Sequence, residues 1–230
     1  MTTRPYIILN MAISMDGKIA TANRAITTFG SPRDHQELLK LRATADAVLC
    51  GARTADTEPV TLGPGGKKFQ KLRLKAKLKE HNLRIIVSGN ASLSPDAAIF
   101  NHHFAPILLL TTGAAPKRKL KTLEPKLGGI HLSPGKKVDL PTAMQWLRKT
   151  WKIKRLICEG GPTLNAAMFQ ADLIDEIRLT LCPVIVGGRT APTITEGPIA
   201  EKLSDAKQYK LTNKRTIKNE TFLTYIREVN

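Results

Sequence analysis

The chain has 230 residues, 42% of them hydrophobic, and carries 36 Lys and Arg against 19 Asp and Glu for a net charge of +17. That length supplies a packed core in one large domain or two small ones, and no apolar run approaches the roughly 18 residues needed to span a bilayer. Cys50, Cys158 and Cys182 are odd in number, sit in apolar runs and form no C-x-x-C pair, which excludes a disulfide frame and a thiolate metal site and fits a reducing, cytoplasmic location.

The start, Met1-Thr-Thr-Arg-Pro5, has no signal-peptide pattern. Tyr6 to Ile13 is a near-continuous apolar run of the kind buried on both faces in a parallel sheet. It ends in the turn Ser14-Met-Asp-Gly17, whose glycine is free to take positive φ. Ser31-Pro32 opens a helix with a capping hydroxyl and a first-turn proline, followed by Leu38, Leu41 and Ala45 at helical spacing. Ala45 to Cys50 is the second strand. A basic excursion over about 63–83 follows, in which Lys67, Lys68, Lys71, Arg73, Lys75, Lys77 and Lys79 interleave with Phe69, Leu72, Leu74, Ala76 and Leu78. This reads as a solvated charged face with an apolar side, in preference to a nucleic-acid patch. Only 5% of residues are aromatic, so stacking platforms for single strands are scarce.

Arg84 to Val87, Ile107 to Thr112 and Ile130 to Leu132 are further strands, and Leu140 to Trp151 is a helix with Met144, Leu147 and Trp151 on its core stripe. Arg155 to Cys158 is a strand that runs into Glu159-Gly-Gly-Pro-Thr163, with helix from Leu164 to Ala171. Glu176 to Cys182 and Thr221 to Val229 are late strands with no helix between them, which suggests an antiparallel edge. Strands alternating with helices predict an α/β fold with a mostly parallel sheet, in a single domain spanning residues 1–230.

The chemistry lies at strand ends. Gly160 and Gly161 before a helix N-terminus leave backbone N–H groups open to a phosphate, and Glu159 places an acid at the edge of that cradle. Asn10, Ser14 and Asp16, Thr54 and Asp56, Ser88 and Gly89, Thr111 and Thr112, and Ser133 and Gly135 stand at the other ends. Ligands of open α/β sheets bind beyond the carboxyl ends of strands, so this lining suits a long, polar, phosphate-bearing ligand such as a dinucleotide. The histidines have no ligand spacing with acids or cysteines, and no metal site, P-loop or nucleophile elbow is present.

Ser14-Met-Asp-Gly17, Leu41-Arg-Ala43, Gly51-Ala-Arg-Thr54, Glu159-Gly-Gly-Pro-Thr-Leu-Asn165, Ala171-Asp-Leu-Ile-Asp-Glu176 and Pro183-Val-Ile-Val-Gly-Gly188 occur in this order. Together they resemble the pyrimidine reductase family of riboflavin biosynthesis, over nearly the whole chain. The resemblance implies a three-layer α/β fold similar to dihydrofolate reductase, with a mostly parallel sheet and antiparallel edge. It implies NADPH-dependent reduction of the ribose of a phosphoribosylaminopyrimidine to a ribityl chain. The catalysis implied is positioning, with no acid, base or nucleophile.

By the same resemblance Glu159, Ser14, Asp16 and Asn10 bind substrate. Thr54, Asp56 or Glu58, Ser88, Gly89, Thr111, Thr112, Ser133, Gly135 and the run Gly160, Gly161, Pro162, Thr163 and Leu164 bind NADPH, with Lys136 or Lys137 available to its 2′-phosphate. The family pattern Thr-Val-x-x-Asp-x-Pro is one residue short in Thr54-Ala-Asp-Thr-Glu-Pro59, so Asp56 and Glu58 compete for one role. Val60-Thr-Leu-Gly63 lacks the family's arginine for the substrate phosphate. With no deaminase segment before it, the chain resembles the stand-alone enzymes acting on the 2,5-diamino pyrimidine. The deaminated uracil substrate and a pterin or folate reductase are the alternatives among enzymes, and a basic nucleic-acid-binding module is the one outside them. Family members are typically homodimers, and the late strands are the expected interface.

Overall fold

The computed structural model describes residues 2–24, 30–56, 60–197 and 200–228. Hydrogen bonding joins nine strands in the order β5-β4-β3-β2-β6-β1-β7-β9-β8, where β1 is Tyr6–Ile13, β2 Ala47–Gly51, β3 Leu83–Val87, β4 Ile107–Thr112, β5 Gly129–Ser133, β6 Arg155–Cys158, β7 Glu176–Leu181, β8 Tyr209–Ile217 and β9 Glu220–Arg227. The pairs β1–β7, β2–β3, β3–β4 and β4–β5 are parallel, whereas β7–β9 and β8–β9 are antiparallel. The mostly parallel sheet with an antiparallel edge is therefore as the sequence indicates. Chain contacts separate two compact units, Met1–Tyr6 with Leu39–Ile157 and Ile7–Leu38 with Cys158–Asn230. Among the described residues no helix is long and apolar enough to cross a membrane.

In the first unit every residue of β4 is buried, and so are four of the five in β2. Val48, Cys50, Ile86, Leu109, Leu62 and Ile99 pack into one cluster, at roughly 1.5–3 kcal/mol for each large side chain removed from water. The helices are the short turn α2 (Ala52–Ala55), α3 (Lys67–Lys75), α4 (Lys117–Leu123) and α5 (Leu140–Thr150). Asp139 caps α5 by accepting from the Thr142 backbone N–H at 3.2 Å, and the helix buries Leu140, Ala143, Met144 and Leu147. Trp151 is only partly buried, just beyond its end.

The basic excursion contains more order than a solvated face. α3 buries Phe69 and Arg73, and Phe69 packs with Leu39 and Ala43. Arg73 is 1% exposed, and its guanidinium donates to the carbonyls of Lys79, Arg42 and Ala45 at 2.8, 2.7 and 2.6 Å. Burial draws its pKa down, and Asp46 opposes that shift. One arginine thus closes both the end of the excursion and the chain leading into β2.

In the second unit β7 lies between β1 and β9, with Ile8 opposite Glu176 and Thr180 opposite Phe222. The helix α1 (Pro32–Arg42) starts as expected. The Ser31 hydroxyl accepts from the Arg33 and Asp34 N–H groups at 3.1 and 3.4 Å and donates to Glu220 at 2.5 Å. Its buried residues are Leu39 and Arg42, one position on from the expected Leu38 and Leu41, and Ala45 lies past its end. Besides α2 and α3, two further elements are additional to the sequence reading. They are β8, a nine-residue edge strand exposed through most of its length, and α4, of which only Leu123 is buried.

Arg73→Ala removes three hydrogen bonds to backbone carbonyls, two of them buried, at about 1 kcal/mol each. The expected cost is about 3 kcal/mol in urea unfolding, with Lys71→Ala within about 0.5 kcal/mol of wild type. Equal effects of the two substitutions would show that Arg73 clamps nothing.

Candidate active site

Unit two gathers its polar groups around the end of β6. Cys158, the last strand residue, is fully buried; its burial pushes the thiol up to about 12, so no thiolate nucleophile is available there. Glu159 follows, half-buried. Gly160 has φ +78°, and a Cβ on it would stand 3.2 Å from Met11 Sδ and 3.3 Å from the Asn165 amide, so this glycine is required by conformation and by space. Gly161, joined to it by a cis peptide, has ordinary extended geometry, and a Cβ there would meet nothing within 4 Å.

Gly161 is the N-cap of α6 (Pro162–Gln170) and supplies no side-chain cap. The N–H groups of Thr163 and Leu164 belong to the first helical turn, where no intrahelical acceptor exists. The uncapped start of α6, next in the chain to Glu159, has the dipole and open N–H groups that favour an anion. Asn165, the last residue of the Glu159–Asn165 motif, braces this turn from within the fold. Fully buried, it donates to the Ile194 carbonyl at 2.7 Å, while its amide oxygen lies 3.8 Å from Cys158 Sγ.

At the end of β1 the expected turn forms, but its polar groups serve the turn itself. Ser14 is fully buried, and its hydroxyl donates to Asp16 at 2.6 Å and accepts from the Lys18 N–H at 2.8 Å. Asp16 also accepts from the N–H groups of Val186 and Gly187 at 3.1 and 2.7 Å. The Ser14 hydroxyl first, then the Val186 N–H, hold its carboxyl down at about 2. Lys18 Nζ donates to the Ala191 carbonyl, and the Glu196 N–H to that of Pro162. The loop over residues 182–197 therefore ties the β1 turn to the start of α6. Asn10 lies in mid-strand, half-exposed and opposite Arg178.

Unit one has the other sequence-predicted residues, again at strand ends. Thr54 lies in α2, directly after β2, and Asp56 caps that turn and accepts from the Ser94 N–H at 2.9 Å. Glu58 lies outside the described residues. Ser88, Thr111, Thr112 and Ser133 are at most 6% exposed. Their hydroxyls are engaged locally: Thr112 donates to the Gly89 carbonyl at 2.7 Å, Ser88 accepts from the Ser92 N–H at 2.9 Å, and Ser133 accepts from the Asp139 N–H at 3.0 Å. A ligand at these ends meets loop backbone, helped by Gly135, where φ is +81° and the space a Cβ would take is open. Among the described residues no group of His, Cys, Asp and Glu could hold a metal ion.

Because Asp16 is depressed in the fold relative to its ordinary 3.8, its contribution to stability is present above pH 3.8 and is lost as the pH falls through about 2. Asp16→Asn is therefore expected to melt below wild type at neutral pH, with the gap closing over that acid window. A gap independent of pH from 5 to 2 would mean that the carboxylate charge is not what holds the 182–197 loop.

The family model described as the RibD C-terminal domain matches residues 5–223. The 2,5-diamino-6-ribosylamino-4(3H)-pyrimidinone 5′-phosphate reductase of Methanothermobacter thermautotrophicus is 31% identical, over 96% of this chain and 98% of its own length. Among solved structures, a pyrimidine reductase-like protein from Corynebacterium diphtheriae superposes with a TM-score of 0.80 at 20% identity, covering 98% of this chain and 93% of that one. RibD of Acinetobacter baumannii gives 0.77 at 21% identity, with 99% of this chain matching 59% of that longer one. At those identities the structures establish the shared dihydrofolate-reductase-like fold, and the match through 5–223 establishes the lineage: the chain belongs to the RibD C-terminal domain family.

Proposed function

We propose that the chain is an NADPH-dependent reductase of riboflavin biosynthesis. In this reading it converts the ribose of 2,5-diamino-6-(5-phosphoribosylamino)pyrimidin-4(3H)-one to the ribityl side chain. The carrying observation is the end-to-end likeness to the Methanothermobacter reductase, named for the diamino compound, at 31% identity. The glycine turn supports it, since Gly161 leaves open the space a Cβ would fill at an uncapped helix start.

When bound, a reduced nicotinamide supplies a hydride to C1′ of the opened ribose, and a solvent proton completes the reduction. The protein's own work is to bind and orient. The α6 N-terminus (Gly160, Gly161, Pro162, Thr163, Leu164) receives the pyrophosphate through backbone N–H groups and the helix dipole. The loops carrying Thr54, Asp56, Ser88, Gly89, Thr111, Thr112, Ser133 and Gly135 receive the adenosine half, and Lys136 or Lys137 the 2′-phosphate. Glu159 accepts a hydrogen bond from the substrate, and the Asn10 amide recognises its polar edge. Ser14 and Asp16 are positioning residues, holding the 182–197 loop in place for Asn10 and Glu159. Neither thiol near the site is acidic: burial pushes Cys182, like Cys158, up to about 12. The reading is a positioning mechanism, in which orientation with exclusion of water can supply most of such a rate.

Three measurements test this. NADPH oxidation followed at its absorbance band is expected with the diamino pyrimidine and not with its deaminated uracil counterpart. Consumption with the uracil alone would reassign the substrate, and consumption with neither would remove the reductase reading. Glu159→Gln should keep NADPH affinity and lose turnover by about 10²-fold, the scale of one hydrogen bond used in the transition state; unchanged turnover sinks the substrate role. Gly161→Val, or Gly161→Ala should the valine variant not fold, is expected to keep the melting midpoint while NADPH affinity falls by tenfold or more, about 1.4 kcal/mol. Normal affinity in a folded variant places the phosphate cradle elsewhere.

A further inference from the structure

The first unit contains a cavity that the reductase reading does not use. It has a volume of about 400 Å³ and is lined by Arg84 at the start of β3, Phe100, His102, His103 and Phe104 in the segment before β4, and Lys126 in the turn before β5. These are the amino ends of the strands, opposite in the chain direction to the carboxyl ends that carry the candidate site.

Arg84 is the unusual member. It is 2% exposed, and its guanidinium donates to the carbonyls of Ile99, His102 and Ala105. Its carbon lies 4.5 Å from the Phe104 ring centroid. Those contacts fix the loop, yet carbonyl dipoles and a ring face do not cancel a full charge. The Nε–H is buried with no acceptor. Burial draws the arginine's pKa down to about 10, and no carboxylate among the described residues acts against it. Lys126 adds a positive charge 5.5 Å over Phe100, and the exposed imidazoles of His102 and His103 complete the polar lining. Among the described residues the acids on adjoining segments are Asp46, whose carboxylate accepts from the Lys154 and Arg155 N–H groups, Glu80, which lies 4.0 Å from His81, and the exposed Asp96 and Glu124.

We propose that this cavity is an anion-binding site for a small phosphate-class ligand, with Arg84 supplying buried charge and Lys126, His102 and His103 the direct contacts. A buried guanidinium without a carboxylate is stabilised by a counter-ion seated beside it, and a phosphate accepts hydrogen bonds from several donors at once. The volume lies in the range of small-ligand sites and exceeds what one water would occupy. An anion here would also tie the 99–106 loop to the 124–128 turn, because its donors come from both. The inference is independent of the reductase reading, since it shares no residue with it.

The test is a titration of the full chain with sodium pyrophosphate, and separately with adenosine 5′-monophosphate, at constant ionic strength. It is followed through the imidazole C–H NMR signals of His102 and His103, assigned with His102→Gln and His103→Gln. Saturable movement of both signals is expected, with Lys126→Ala weakening the apparent Kd about tenfold at an unchanged melting midpoint. Movement with pyrophosphate assigns the site to the free anion, and movement with the nucleotide alone assigns it to a phosphate carried on a larger molecule. Signals that stay fixed with both anions, that drift without saturating, or that move equally in Lys126→Ala overturn the proposal. Arg84→Met is kept as a second variant where it folds, with loss of saturable binding expected.

Discussion

In β4 every residue from Ile107 to Thr112 is buried, and its backbone is taken up by the parallel ladders to β3 and β5. That condition governs much of the first unit. A strand covered on both faces has no room for an exposed side chain along its length, so polar groups appear where it ends. The ends are also where the ladder stops and backbone N–H groups become available. Gly51, Ser88, Thr112 and Ser133 stand at the carboxyl ends of β2 to β5 for this reason.

The same condition explains what the hydroxyls do. Thr112, Ser88 and Ser133 sit where the chain turns out of a buried strand, and each closes a loop by bonding to nearby backbone. The sequence shows a small hydroxyl residue at a strand end; it does not show which way the hydroxyl points, because a ligand contact and a loop tie use the same residue type. Strand positions were legible because long apolar runs have few alternative fates. β8 was not legible, since Tyr209-Lys-Leu-Thr-Asn-Lys-Arg-Thr-Ile217 is exposed over most of its length and carries no one-sided pattern. It exists because β9 offers it a partner, a fact that lies elsewhere in the chain.

Positive charge shows a similar division. Net +17 reads as a solvated surface or as attraction to phosphates, and for most lysines the surface reading holds. Arg73 and Arg84 depart from it: both are almost fully buried and both spend their donors on backbone carbonyls. An arginine suits this use because its planar fork satisfies several carbonyls at once and stays charged when buried. Nothing in a run such as Lys-Leu-Arg-Leu-Lys75 marks its arginine as internal, apart from its place on the same helical face as Phe69, four residues earlier.

The glycine pair completes the reasoning, because its two members answer to different forces. Gly160 is held by φ +78° and by Met11 and Asn165 standing where a Cβ would go, so an alanine there disturbs the protein before any ligand arrives. Gly161 faces open space at the head of α6, where an added side chain would displace only solvent or a bound molecule. Asn165 links the two, since it crowds Gly160 and anchors the Ile194 loop that returns beside the helix. A buried amide therefore fixes the backbone from behind, and the exposed side of the same turn is left free to meet a phosphate. Binding energy need not then be spent on ordering the loop, so a preorganised backbone can favour one geometry.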